Sequence, residues 1–107
     1  MKALTLEHNG HKILAFQTGR RYQRDGQIIL VKDMGDYLLM SDISRTIDYA
    51  FPLSVGLDAH RILDEYDSIG YGGDLVKVDD WSAYYSGYRE LQNVYDSGAC
   101  DSLKLEG

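Results

Sequence analysis

Residues 4–16 read LTLEHNGHKILAF, and this stretch decides how the chain begins to fold. Asn9-Gly10 sits between two runs that alternate apolar and polar residues. A type I′ turn needs φ > 0 at both central positions, and Asn-Gly supplies it with the least strain. A two-residue turn also fixes the register. His8 then faces His11, Glu7 faces Lys12, Leu6 faces Ile13 and Leu4 faces Ala15. The Glu7–Lys12 pair adds an opposite-charge cross-strand contact worth about 0.2–1 kcal/mol.

Downstream of this hairpin the strand signals continue. Ile28 to Val31 is apolar at every position, which predicts a central strand covered on both faces. Asp25-Gly26 and Met34-Gly35 are turn signals on either side of it, and Arg20–Arg24 reads as an arm pairing back onto Gln27–Val31. Asp36 to Asp42 is a fourth strand candidate. Arg45 to Leu53 alternates, with Ile47, Tyr49, Phe51 and Leu53 on one face. Pro52, the only proline, lacks an N–H and closes the run.

The period then changes. Ala59, Ile62, Leu63 and Tyr66 recur at helical spacing, with Asp58, Arg61, Asp64, Glu65 and Asp67 on the far side. Ser54 or Asp58 is placed to cap this helix. Gly70-Tyr71-Gly72-Gly73 breaks it, and Leu75–Val78 reads as a short strand. A second helix covers 79–95, DDWSAYYSGYRELQNVY, started by Asp79 or Asp80 as cap and ended by Ser97-Gly98. Trp81, Tyr84, Tyr85, Tyr88, Leu91 and Tyr95 share one arc of about 120° on it. That stripe reads first as a core face and, where it stays outside, as an interface, since Trp and Tyr are enriched at hot spots. Ser102–Glu106 alternates weakly, as a last edge strand or a tail. Strands first and helices after predict an α+β fold: an antiparallel meander of four or five strands, two helices packed on one face, and short C-terminal strands.

At 107 residues, 44% hydrophobic and 26% charged, the chain has the composition of one soluble domain. No apolar run approaches the roughly 20 residues of a membrane span, and the charges of MKALTLEHNGHK come too early for a signal peptide. A single cysteine, Cys100, excludes an intramolecular disulfide and fits a reducing cytoplasm.

Charge is divided unequally. Residues 1–53 carry seven Lys/Arg against six Asp/Glu, and residues 54–107 carry four against eleven, so the halves stand at +1 and −7. An acidic half repels a phosphate backbone, which argues against direct nucleic-acid binding and suits a basic protein partner. The plainer alternative is an acidic surface that serves solubility alone.

Catalytic motifs are wanting. His8 and His11 flank the turn on one face, but no third metal ligand accompanies them. The glycine-rich loop at 70–73 lacks the Lys-Ser/Thr of a phosphate cradle, and no serine stands in a GxSxG setting. Arg20, Arg21 and Arg24 with Tyr22 form the only basic cluster. No cofactor and no metal is expected.

In composition, though in no motif, the chain resembles small acidic inhibitors: phage-type anti-restriction and anti-CRISPR proteins, which block nucleic-acid-handling enzymes, and immunity proteins that neutralise toxins. The resemblance implies a cytoplasmic, non-catalytic protein that binds a basic nucleic-acid-binding partner, including by imitating nucleic-acid charge. Its expected contact residues are Asp58, Asp64, Glu65, Asp67, Tyr71, Asp74, Asp79, Asp80 and Tyr85. The alternatives are a small enzyme or ligand-binding domain with a cleft lined by Tyr71, Tyr85 and His60, and a homodimer or larger homo-oligomer joined through an edge strand.

Overall fold

In the computed structural model, residues 2–17, 28–42, 47–69 and 76–104 are described. Five strands follow one another as β1 (Ala3–His8), β2 (His11–Gln17), β3 (Ile28–Asp33), β4 (Leu38–Asp42) and β5 (Ile47–Phe51). They form one antiparallel sheet in the order β1-β2-β3-β4-β5. A 3-10 turn at Leu53–Val55 leads to helix α1 (Ala59–Ile69). Helix α2 (Trp81–Asp96) and a short helical turn α3 (Asp101–Lys104) complete the chain.

The first hairpin has the register its turn demands, from Ala3 opposite Phe16 to His8 opposite His11. Asn9 and Gly10 both take positive φ, at 52° and 78°, the type I′ geometry. β3 is the middle strand, and its Ile28 to Val31 are all buried. The arm at Arg20–Arg24, the turn at Asp25-Gly26 and the basic cluster with Tyr22 lie outside the described residues.

Alternation along β2, β3 and β4 sends apolar side chains to both faces. Ile13, Ala15, Leu30 and Leu39 meet Tyr84, Leu91 and Val94 of α2. Leu14, Phe16, Ile29, Val31 and Met40 meet Ala59, Ile62 and Leu63 of α1. The helices therefore cover opposite faces, which corrects the expectation that both pack on one. The reason lies in the strands: a sheet apolar on both sides needs a layer on each.

Both helix starts use a carboxylate. Asp58 Oδ1 accepts from the His60 and Arg61 amides, at 2.9 and 3.3 Å, and Asp80 Oδ1 accepts from the Ala83 amide at 3.0 Å. Each satisfies amides that have no partner within the helix. α2 ends at Ser97, followed by Gly98 at φ 90°. β5 stops at Phe51, ahead of Pro52, so Leu53 leaves the strand's apolar row and stands 42% exposed in the 3-10 turn.

The short late strands are not found among the described residues. Residues 76–78 are not in a strand, although the Val76 amide donates to the Ala50 carbonyl on the edge of β5. Asp101–Lys104 is helical, and its Leu103, with Cys100 just before it, is buried in the α2-side core. Those two apolar anchors override the weak alternation. Leu75 and Leu105–Glu106 lie outside the described residues.

Candidate functional site

The buried face of α2 is Tyr84, Gly87, Leu91 and Val94. Its centre is turned by about 80° from the centre of the aromatic stripe, taking 100° per residue. Gly87 explains the rotation. A Cβ built there would lie 2.7 Å from Met34 Sδ and 3.1 Å from Leu39 Cδ2. The glycine lets the helix settle close to the sheet along that line. Trp81 and Tyr85 are thereby left outside, 53% and 58% exposed.

These two rings belong to a chain of aromatic contacts running outward from the core. Tyr37, buried, lies 6.3 Å from Tyr84; Tyr84 lies 5.1 Å from Trp81 and 5.5 Å from Tyr85, both in edge-on geometry. Tyr37 is set by the β3–β4 connection. The Met34 amide donates to the Tyr37 carbonyl, and Asp33 Oδ1 accepts from the Gly35 amide, with Gly35 at φ 95°.

Beside the rings is a cavity of about 200 Å³, lined by Met34, Asp36, Tyr37, Lys77, Asp79, Asp80 and Ala83. Three carboxylates and one ammonium give it a formal charge of −2. Lys77 Nζ is 3.8 Å from Asp79, and both side chains are almost fully in water, so this pair holds the lysine weakly. The Tyr37 hydroxyl is buried without a hydrogen-bond partner. Leaving such a group unpaired costs on the order of 1–3 kcal/mol. Burial, followed by the charges of Asp80 and Asp36, raises its pKa above the usual 10.0, so the phenol keeps its proton.

A second polar cluster lies where the first hairpin meets α2. Lys32 and Glu90, with side chains 12% and 13% exposed, form an ion pair through Nζ and Oε2. His8 Nδ1 donates to Glu90 Oε1 at 2.9 Å, and Asn9 Nδ2 donates to the same oxygen at 3.4 Å. Burial pushes the Glu90 pKa up, but hydrogen bonds from Lys32 and His8, reinforced by their charges, prevail and hold it below its ordinary 4.5. A general acid or base works best with a pKa near the working pH, so a carboxyl moved this way is a poor proton carrier. It fastens the hairpin to the helix. It also engages the Nδ1 of His8, and among the described residues no three His, Cys, Asp or Glu side chains group to hold a metal ion.

The expected contact residues are divided by the sheet. Asp79, Asp80 and Tyr85 come together at the start of α2. Asp58 and Asp64 are exposed and Glu65 half-buried at α1, on the other face. The Asp67 side chain, Tyr71 and Asp74 lie outside the described residues. His60 and Tyr85 are on helices with the sheet between them, so the cleft they were expected to share is not formed. Asp36 and Tyr37 were missed as site residues. Their signal was the DMGDY turn, after which Tyr37 has the same parity as Leu39 and so faces α2.

Comparison with protein-family models, curated proteins and solved structures returned no match. No helix among the described residues is long and apolar enough to cross a membrane.

Proposed function

We propose that this chain is a non-catalytic binding protein that docks on a basic protein through the start of α2, as an inhibitor of a nucleic-acid-handling partner would. The observation that carries the reading is the exposure of Trp81 and Tyr85 next to the carboxylates of Asp36, Asp79 and Asp80. Large exposed rings rimmed by charge are the composition of a hot spot, with aromatic anchors and a polar rim. The negative charge steers the encounter and sets the association rate, while burial of the rings sets the residence time. Asp58 and Asp64 on α1 give the opposite face the same sign, as imitation of nucleic-acid charge requires.

The test has two stages. A basic protein is captured from a lysate of the source organism, purified, and measured by surface-plasmon kinetics across a salt series. Raising ionic strength should slow association, because screening at physiological salt acts over about 8 Å. A W81A/Y85A variant, checked for unchanged melting, should raise the dissociation rate about tenfold or more. Association that ignores salt, or dissociation that ignores the double substitution, would sink the reading.

A further inference from the structure

We propose that the cavity between the β3–β4 turn and the start of α2 receives an arginine side chain of the docking partner, with the Tyr37 hydroxyl as an acceptor for its guanidinium. This rests on the docking reading above and names what that surface grips.

Charge sets the class of occupant. Asp36, Asp79 and Asp80 outweigh Lys77, and the positive end of the α2 dipole offsets only about half a charge more. The site therefore favours a cation. A bare metal ion does not fit, since no three ligating side chains converge among the described residues. The carboxylates are spread around a cavity of about 200 Å³, a space for an extended organic cation.

The phenol selects among organic cations. Tyr37 is 6% exposed, lines this cavity, and its hydroxyl has no partner. A guanidinium carries five N–H donors in a planar fork, whereas an ammonium is a compact, strongly hydrated point charge. The fork reaches several acceptors at once: the Tyr37 oxygen and carboxylates on either side. Asp80 commits Oδ1 to the helix cap, which leaves its Oδ2 for a ligand. A guanidinium N–H donating to the Tyr37 oxygen supplies the partner that the hydroxyl lacks. Lys77, loosely held and in water, gives way to the incoming cation.

The probes are N-acetyl-arginine amide, its lysine counterpart and its uncharged citrulline counterpart, titrated into the full chain and followed by amide chemical shifts. The arginine probe should shift the signals of Met34, Asp80 and Ala83 and saturate in the millimolar range. The lysine probe should bind more weakly, and citrulline should leave those signals in place. Tyr37→Phe removes an unpartnered hydroxyl, so its melting temperature should hold or rise, while arginine binding weakens about tenfold, the loss of a hydrogen bond to a charged group. D36N should weaken it without touching the helix cap. Equal shifts from citrulline, lysine binding as tight as arginine, or unchanged arginine affinity in both variants would each overturn the assignment. If the captured partner meets the salt and W81A/Y85A criteria while the arginine probe fails these, the docking reading stands and only the arginine site falls. If both sets fail, both fall.

Discussion

Glu90→Gln should destabilise the protein by about 2–3 kcal/mol, at or just below the roughly 3–5 kcal/mol for breaking a fully buried ion pair, because both side chains keep about an eighth of their surface in water. The loss falls mainly on Lys32. Its ammonium is held on the sheet face that also carries Ile28 and Leu30, opposite Ile13 and Leu39 in register. Without the carboxylate it remains partly desolvated beside a neutral amide. Replacing both partners, as K32M/E90L, should recover most of the loss, since two apolar side chains of similar size leave no uncompensated charge. Urea unfolding of the three variants against wild type measures this, and a double variant as unstable as the single one would refute it. The pH dependence has a definite sign. The Glu90 pKa is lowered in the folded state, so its contribution is present above the unfolded value, near 4.5, and is lost as pH falls through the lower folded value. The gap between wild type and E90Q should therefore be constant near neutrality and close below about pH 4.5.

Gly87→Val should cost about 2–3 kcal/mol, by overpacking the line where α2 approaches the sheet most closely. Even a bare Cβ would come within 2.8 Å of the Met34 Sδ and Cε atoms and 3.1 Å of Leu39 Cδ2. Gly87→Ala is the instructive contrast. It gains up to about 1 kcal/mol of helix propensity, and Met34 is half-exposed with a flexible end that swings aside. Leu39, buried, yields less. The two effects nearly cancel, so G87A should lie within about 1 kcal/mol of wild type. Adding M34A to the valine variant should return part of the loss. A G87V chain as stable as wild type in denaturant would show that the helix does not approach Met34 and Leu39 this closely.

The first hairpin was legible to the residue, because Asn9-Gly10 both makes the turn and sets the pairing. The central place of β3 was legible too, from four consecutive apolar residues. The same four residues carried the correction to the helix layers: a strand covered on both faces cannot have both helices on one. The sidedness of α2 was harder. A period of 3.6 treats Trp81 and Tyr85 as apolar and Gly87 as neutral, whereas close packing values the absent side chain above the large rings. The contact between Lys32 and Glu90 joins residues far apart in the chain, which no local pattern encodes. Half of it was nonetheless visible, since Lys32 falls in step with Ile28 and Leu30, and a charge on a core-facing position requires a partner. The candidate site was legible in its acidic and aromatic components and not in its cavity, which needs the β3–β4 turn brought up to the start of α2.

Every strand pairing in this sheet joins chain neighbours, across at most ten intervening residues, so the entropic cost of closing the meander is small. Synthesis runs from the N-terminus, and all five strands are made before the first residue of either covering helix. On a growing chain, the apolar rows of β2, β3 and β4 exist before the layers that bury them. Each face meanwhile carries charge in its own rows: Lys32 beside Leu30 on one side, and Lys12 beside Leu14, Asp33 beside Val31 and Asp42 beside Met40 on the other. A charge within an apolar strand row discourages pairing with a foreign chain. The lysine that later fastens α2 is thus also the residue that guards its landing ground until the helix is made.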